Sequence, residues 1–142
     1  MEMRDDLAGT GPVEQVGFSV NLDSLPVEGG TDPAFGSVTW RTLVCGDRTP
    51  SRDMVLGVAE FGPYGTLLPH RHAHAEFYLG LSGDGVVTLG GVPHQIAPGV
   101  AIYVPGDAEH GVVAGPVGLR FAYGFAADRF ADVTYRFSAH QL

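Results

Sequence analysis

Imidazoles and carboxylates crowd one stretch of the sequence, His70-Arg71-His72-Ala73-His74-Ala75-Glu76, and a further histidine, His110, follows 40 residues after His70. In a β-strand, residues i and i+2 project to one face, so His70 and His72 would present both rings to the same side. Glu76 opens a new apolar run, which suits a return strand bringing its carboxylate back to that point. His110 comes after a Pro-Gly-Asp turn and can close the site from another strand. Three neutral imidazoles and one carboxylate suit a borderline divalent ion, whether Fe, Mn, Co, Ni, Cu or Zn, without choosing among them. Such an ion, when six-coordinate, keeps open positions for water or a bidentate substrate, which metal-assisted catalysis requires.

The elements that must position these groups read as strands. Short runs rich in β-branched and aromatic residues cover 38–45, 54–61, 76–81, 85–89, 92–96, 100–104, 111–113 and 119–125. Turn signals separate them, among them Gly90-Gly91 at hairpin spacing, Pro98-Gly99 and Pro105-Gly106. That rhythm predicts an all-β sandwich or barrel. The tail offers a helical turn or two over 126–132 and a last strand over 133–137. Residues 1–35 show no sustained periodicity and read as an N-terminal arm able to add an edge strand or a dimer contact, leaving 36–142 as the barrel.

Composition narrows the function further. With 142 residues, 44% of them apolar, the chain suits one domain around one core. A net charge of −8 with only 8 basic residues leaves no electrostatic footprint for a phosphate backbone, so nucleic acid is not expected as a partner. Neither a secretory leader nor a membrane span is legible, and the expectation is a cytoplasmic protein with no membrane partner. Cys45 is the single cysteine, which excludes an internal disulfide and a cysteine-rich zinc site, and it reads as a half-buried strand residue. His94 beside a hairpin turn and His140 near the terminus read as solvated.

At the histidine cluster the sequence resembles the cupin superfamily. The first cupin motif, G-x5-H-x-H-x3,4-E-x6-G, is matched by His70, His72, Glu76 and Gly83, and the second, G-x5-P-x-G-x2-H-x3-N, by Gly99, Pro105 and His110. The resemblance implies a double-stranded β-helix, a jelly-roll-like barrel, with His70, His72, Glu76 and His110 as ligands of one divalent metal ion. Gly65 stands one residue too close to His70, Asp107 replaces the second motif's inner glycine, and Ala114 stands where asparagine is common. These departures bear on turn geometry rather than on ligand positions. A competing register, His72-x-His74, leaves one residue before Glu76 and no room for a strand reversal, so His74 reads as a loop residue at the cavity rim or as a group that supports a ligand from behind.

Tyr78, two residues after Glu76, should share its face, and a tyrosine near a dication can act as a base close to neutral pH. The Glu76-x-Tyr78 pair and the spacing to His110 are similar to the small cupin-type dimethylsulfoniopropionate lyases. That resemblance implies a metal-bound substrate carboxylate and Tyr78 as the base that removes the α-proton, releasing dimethyl sulfide and acrylate. Tyr64, Trp40, Tyr103, Tyr123 and His74 are candidates for the cavity lining, with Trp40 a possible wall for a cationic ligand. The alternatives are a dioxygenase, an isomerase or a polyketide cyclase using the same ligands, and a non-catalytic cupin that binds a small molecule. A homodimer is compatible with the arm.

Overall fold

The computed structural model describes residues 14–138. The described chain is built from nine strands: β1 (Glu28–Gly29), β2 (Thr39–Val44), β3 (Val55–Phe61), β4 (Thr66–Arg71), β5 (Glu76–Leu89), β6 (Val92–Ile96), β7 (Ala101–Val104), β8 (His110–Phe125) and β9 (Arg136–Phe137). It contains no α-helix, only two 3-10 turns at Leu22–Ser24 and Phe130–Asp132. Among the described residues no helix is long and apolar enough to cross a membrane.

Two long antiparallel strands, β5 and β8, organise the barrel. The first part of β5, Glu76–Leu79, lies between β7 and the end of β8, whereas its last part, Gly85–Leu89, lies between β6 and the start of β8. On its other edge β8 pairs with β3 through Leu119–Phe125 and with β4 near His110. The long strands therefore pass from one sheet into the other and close the two around a common core. The sequence reads each of them as two separate strands, because the apolar alternation lapses at Ser82-Gly83-Asp84 and at Gly115–Gly118. The backbone pairing continues through both bends, with register shifts in β5 on either side of Ser82 and Gly83. Gly83 takes φ 71°, and a Cβ there would meet the Gly118 carbonyl, so the crossing needs glycine.

Side-chain alternation fills the interior. Val55, Val87, Ile96, Val104, Val112 and Phe121 are buried, and strand parity turns Phe77, Leu79 and Tyr103 outward. In the described part of the 1–35 segment, Glu28 fixes β1 beside β2. Its carboxylate accepts hydrogen bonds from Arg48 at 2.7 and 3.0 Å and from Thr42 at 2.8 Å. Phe35 then packs inside the barrel. Cys45 departs from expectation: it is buried one residue beyond β2, donating to Asp47 at 3.0 Å and accepting from the Phe130 N–H at 3.3 Å. His94 is exposed as expected, and His140 lies outside the described residues.

Candidate metal centre and cavity

Local backbone geometry aims the histidines. From Leu67 to His70 β4 gains a residue on β8, because Leu67 faces Val112 while His70 faces His110. The bulge falls at Leu68-Pro69, where Pro69 has no N–H to lose from the ladder. It lets both Leu67 and His70, three positions apart, face inward. Arg71 is exposed and His72 is buried, as the i, i+2 reading requires. Asp107, standing where the motif prefers glycine, adopts the glycine-like φ of 65°. Its N–H donates to the His72 carbonyl at 2.8 Å, its own carbonyl accepts from Arg71 at 3.1 Å, and its carboxylate pairs with Arg136. The unusual residue thus preserves the turn and ties β9 to it.

His70, His72 and His110 converge, with ligand nitrogens all within 4.8 Å of one another, and together they can hold a metal ion. Each Nδ1 faces a backbone carbonyl: Leu68 for His70 at 2.8 Å, His74 for His72 at 2.8 Å and Ala108 for His110 at 2.9 Å. A carbonyl only accepts, so each Nδ1 carries a proton, which leaves each Nε2 as the nitrogen available to a metal. The Nε2 atoms of His72 and His110 lie 3.1 and 3.2 Å from the same Glu76 oxygen, and the buried Nε2 of His70 has no hydrogen-bond partner. Lone pairs facing a carboxylate oxygen at that range repel unless a proton or cation sits among them. One divalent cation among the three nitrogens would relieve that repulsion and give the His70 nitrogen a partner, so the three histidines fit a metal, with the Glu76 carboxylate beside two of them.

Burial, reinforced by His110 and His72 and opposed by the Leu68 hydrogen bond, lowers the His70 pKa from 6.5 to about 3. In metal-free protein the unfolded chain therefore binds this proton near pH 6.5 while the folded one refuses it until about 3. Across that window the unfolded state holds more protons, so stability falls as pH falls. Urea midpoints measured on metal-free protein between pH 7 and 5 should drop more steeply for wild type than for His70→Gln, and parallel curves would contradict this.

Beside the histidines lies a cavity lined by Trp40, Tyr78, Tyr123, Glu76 and Tyr135, among others, with about 30 Å³ open to the centres of water-sized molecules. Tyr78 is fully buried, its ring 4.1 Å from that of Phe121, and its hydroxyl has no partner. Burial, with the nearby Glu76 carboxylate, pushes its pKa well above the ordinary phenol value. Tyr123 supplies a wall, but its hydroxyl turns over Gly57 towards β2, where a Cβ on Gly57 would lie 2.6 Å from the Tyr123 Cζ.

Other expectations are corrected. Tyr64 and Tyr103 do not line the cavity: they are 66% and 68% exposed. Tyr64 occupies a turn with φ 57°, and Tyr103 has the outward parity of β7 between inward Ile102 and Val104. His74 sits half-buried in the β4–β5 turn and does not line the cavity. It contributes its carbonyl, which orients His72. Residues that sequence reasoning missed come from both ends of the chain: Phe35, Phe130 and Tyr135 all line the cavity. The Tyr135 ring stacks on His70, centroids 4.7 Å apart and planes inclined by 22°. Only the Tyr135-x-Phe137 alternation hinted at an inward aromatic face.

The sequence model of the cupin domain matches residues 57–117. Over 121 residues the chain is 60% identical to dimethylsulfoniopropionate lyase DddW of Ruegeria pomeroyi, covering 85% of this chain and 80% of that relative. The chain belongs to the cupin family. Among solved cupins it is similar to the polyketide cyclase RemF from Streptomyces resistomycificus, with a TM-score of 0.75, 25% identity, and coverage of 89% of this chain and 88% of that one. A structure described as that of the lyases RdDddP and RnDddQII matches with a TM-score of 0.68 at 18% identity, covering 81% of this cupin and 63% of the other chain.

Proposed function

We propose that this cupin is a metal-dependent lyase that cleaves dimethylsulfoniopropionate into dimethyl sulfide and acrylate. The observation that carries the reading is the 60% identity over 121 residues with the Ruegeria pomeroyi lyase. His70, His72, His110 and Glu76 would hold one divalent ion. Bound there, that ion would act as a Lewis acid, anchoring the substrate carboxylate and offsetting the negative charge that develops as the α-proton leaves.

The remaining steps fall to side chains of the chain itself. Tyr78 shares the inward face of β5 with Glu76 and lines the cavity beside the histidines, where its hydroxyl would meet a substrate held at the metal. Burial keeps the phenol protonated, whereas positive charge among the histidines works in the opposite direction and favours the phenolate. As phenolate, the Tyr78 oxygen takes the α-proton. The C–H electron pair becomes the carbon–carbon double bond, the C–S bond breaks, and its pair departs on sulfur. Tyr78 then returns the proton to solvent. Phe121 and Tyr135 line the cavity and would keep bulk water from the reacting carbon.

Protein reconstituted separately with Mn, Fe, Co, Ni, Cu and Zn and incubated with dimethylsulfoniopropionate should form dimethyl sulfide and acrylate in equal amounts with at least one metal. Absence of both products with every metal would overturn the proposal.

A further inference from the structure

The metal centre is sealed from solvent. His70, His72, His110, Glu76 and Tyr78 are all buried, and the cavity beside them opens about 30 Å³ to the centres of water-sized molecules. Pockets that receive small organic ligands usually offer about 300 Å³ or more. A ligand of that class therefore enters only when a wall moves. Most of the wall is tied into the barrel: Trp40, Ala59, Leu67, Tyr78 and Phe121 stand on β2, β3, β4, β5 and β8, and share their ladders. Phe35 is clipped to β4, its carbonyl accepting from the Leu68 N–H at 2.8 Å while the Val38 N–H donates to the Thr66 carbonyl at 3.0 Å. Phe130 and Tyr135 belong instead to one segment, 129–137, that crosses the cavity beyond the long ladders. Before it, Asp128 is fixed twice, its carbonyl accepting from the Gly46 N–H and its carboxylate from the Asp53 N–H, both at 2.7 Å. At its far end β9 makes two register pairs with β4, and the Ser138 N–H donates to the Pro69 carbonyl at 3.0 Å.

That far end carries a distinctive charge arrangement. Arg136 lies directly opposite Arg71, and like charges so placed drive two strands apart. Asp107 joins the two arginines: its carbonyl accepts from Arg71 at 3.1 Å and its carboxylate from Arg136. The N–H of the same residue donates to the His72 carbonyl at 2.8 Å, so one residue ties the segment to the turn that carries a metal ligand. The side chains of Arg136 and Asp107 are 57% and 65% exposed. A pair that open to water is weak, and it can break and re-form readily.

We infer that residues 129–137 form a strap that opens to admit and release the ligands of the metal centre, and that the Asp107–Arg136 pair is its latch. The strap swings from the doubly bonded Asp128 and lifts Tyr135 off His70 when β9 leaves β4. The inference concerns access alone and holds for whatever substrate the centre takes, so it goes beyond the lyase reading without resting on it.

The closed strap can be locked. Arg71 and Arg136 are antiparallel partners, and Cα atoms so placed lie about 4.5–5.5 Å apart, within disulfide reach. The variant Arg71→Cys/Arg136→Cys is loaded with zinc, and a chromogenic chelator in excess records how fast the metal leaves the oxidised and the reduced protein. Oxidation should slow release by about ten-fold or more, and a phosphine reductant should restore it. Cys45 is buried and stays out of the exchange. Two charge variants decide the matter without the disulfide. Asp107→Asn keeps a residue that tolerates the left-handed backbone but leaves the two arginines facing each other, and should speed release by about five-fold. Arg136→Gln removes the repulsion together with the pair, so it should speed release only about two-fold, and the double variant should match it. Hydrogen exchange on metal-free protein gives a readout that needs no zinc: peptides from 129–138 should exchange about ten-fold faster or more than those from β5 and β8, and faster again in Asp107→Asn. A strap that exchanges as slowly as β5 and β8, zinc release unchanged by oxidation of the staple, or equal release from wild type and Asp107→Asn would overturn the inference. Dimethyl sulfide is measured in none of these comparisons, so the strap and the lyase reading fail separately.

Discussion

Tyr78→Phe should lower the rate of dimethyl sulfide release by about 10²–10⁴-fold, the range expected when a positioned proton-transfer group is lost. The substitution removes one oxygen from a side chain that is 1% exposed and packed on Phe121, so the ring keeps its place. That oxygen has no hydrogen-bond partner in the fold. Its loss should therefore leave thermal stability unchanged or slightly raised, since an unpaired buried hydroxyl costs free energy. Metal content should stay at the wild-type level. Loss of activity with intact metal and fold assigns the hydroxyl to the chemistry. Retention of more than about a tenth of the rate would move the base elsewhere.

His110→Ala should act one step earlier, on the metal. His110 lies directly across from His70 in the β4–β8 register, and its Nε2 shares the Glu76 oxygen with His72. Removing it takes away a nitrogen donor and leaves the Ala108 carbonyl without its Nδ1 partner. Metal affinity should weaken by at least about 100-fold, exceeding the usual effect of losing a group that merely orients a ligand. Activity should fall to background at stoichiometric metal and recover in part at large excess. Competition with a chromogenic chelator measures the affinity directly, and an unchanged value would remove His110 from the centre.

Much of this site was legible because its determinants are short-range. The i, i+2 spacing of His70 and His72, the apolar run opening at Glu76 and the turn before His110 each express a local rule, and the structure brings their side chains together. Asp107 shows how a departure from the motif is absorbed, by a residue that tolerates the left-handed backbone. What escaped was long-range. Nothing near Phe35, Phe130 or Tyr135 says that chain segments so far apart meet over one cavity, because that meeting depends on β1 docking on β2 and β9 on β4. Tyr103 and Tyr64 were misplaced for local reasons that propensity does not reveal: strand parity in the first, a left-handed turn in the second. The two long strands were split because side-chain alternation lapses at a glycine bend while the backbone ladder does not.

The most direct test of the account is a titration of metal-free protein with the most active of the six metals while initial dimethyl sulfide release is recorded. Activity should rise linearly and break at one ion per chain, with no release before the first addition. Full activity without metal, or a metal-independent rate across the titration, would contradict the account.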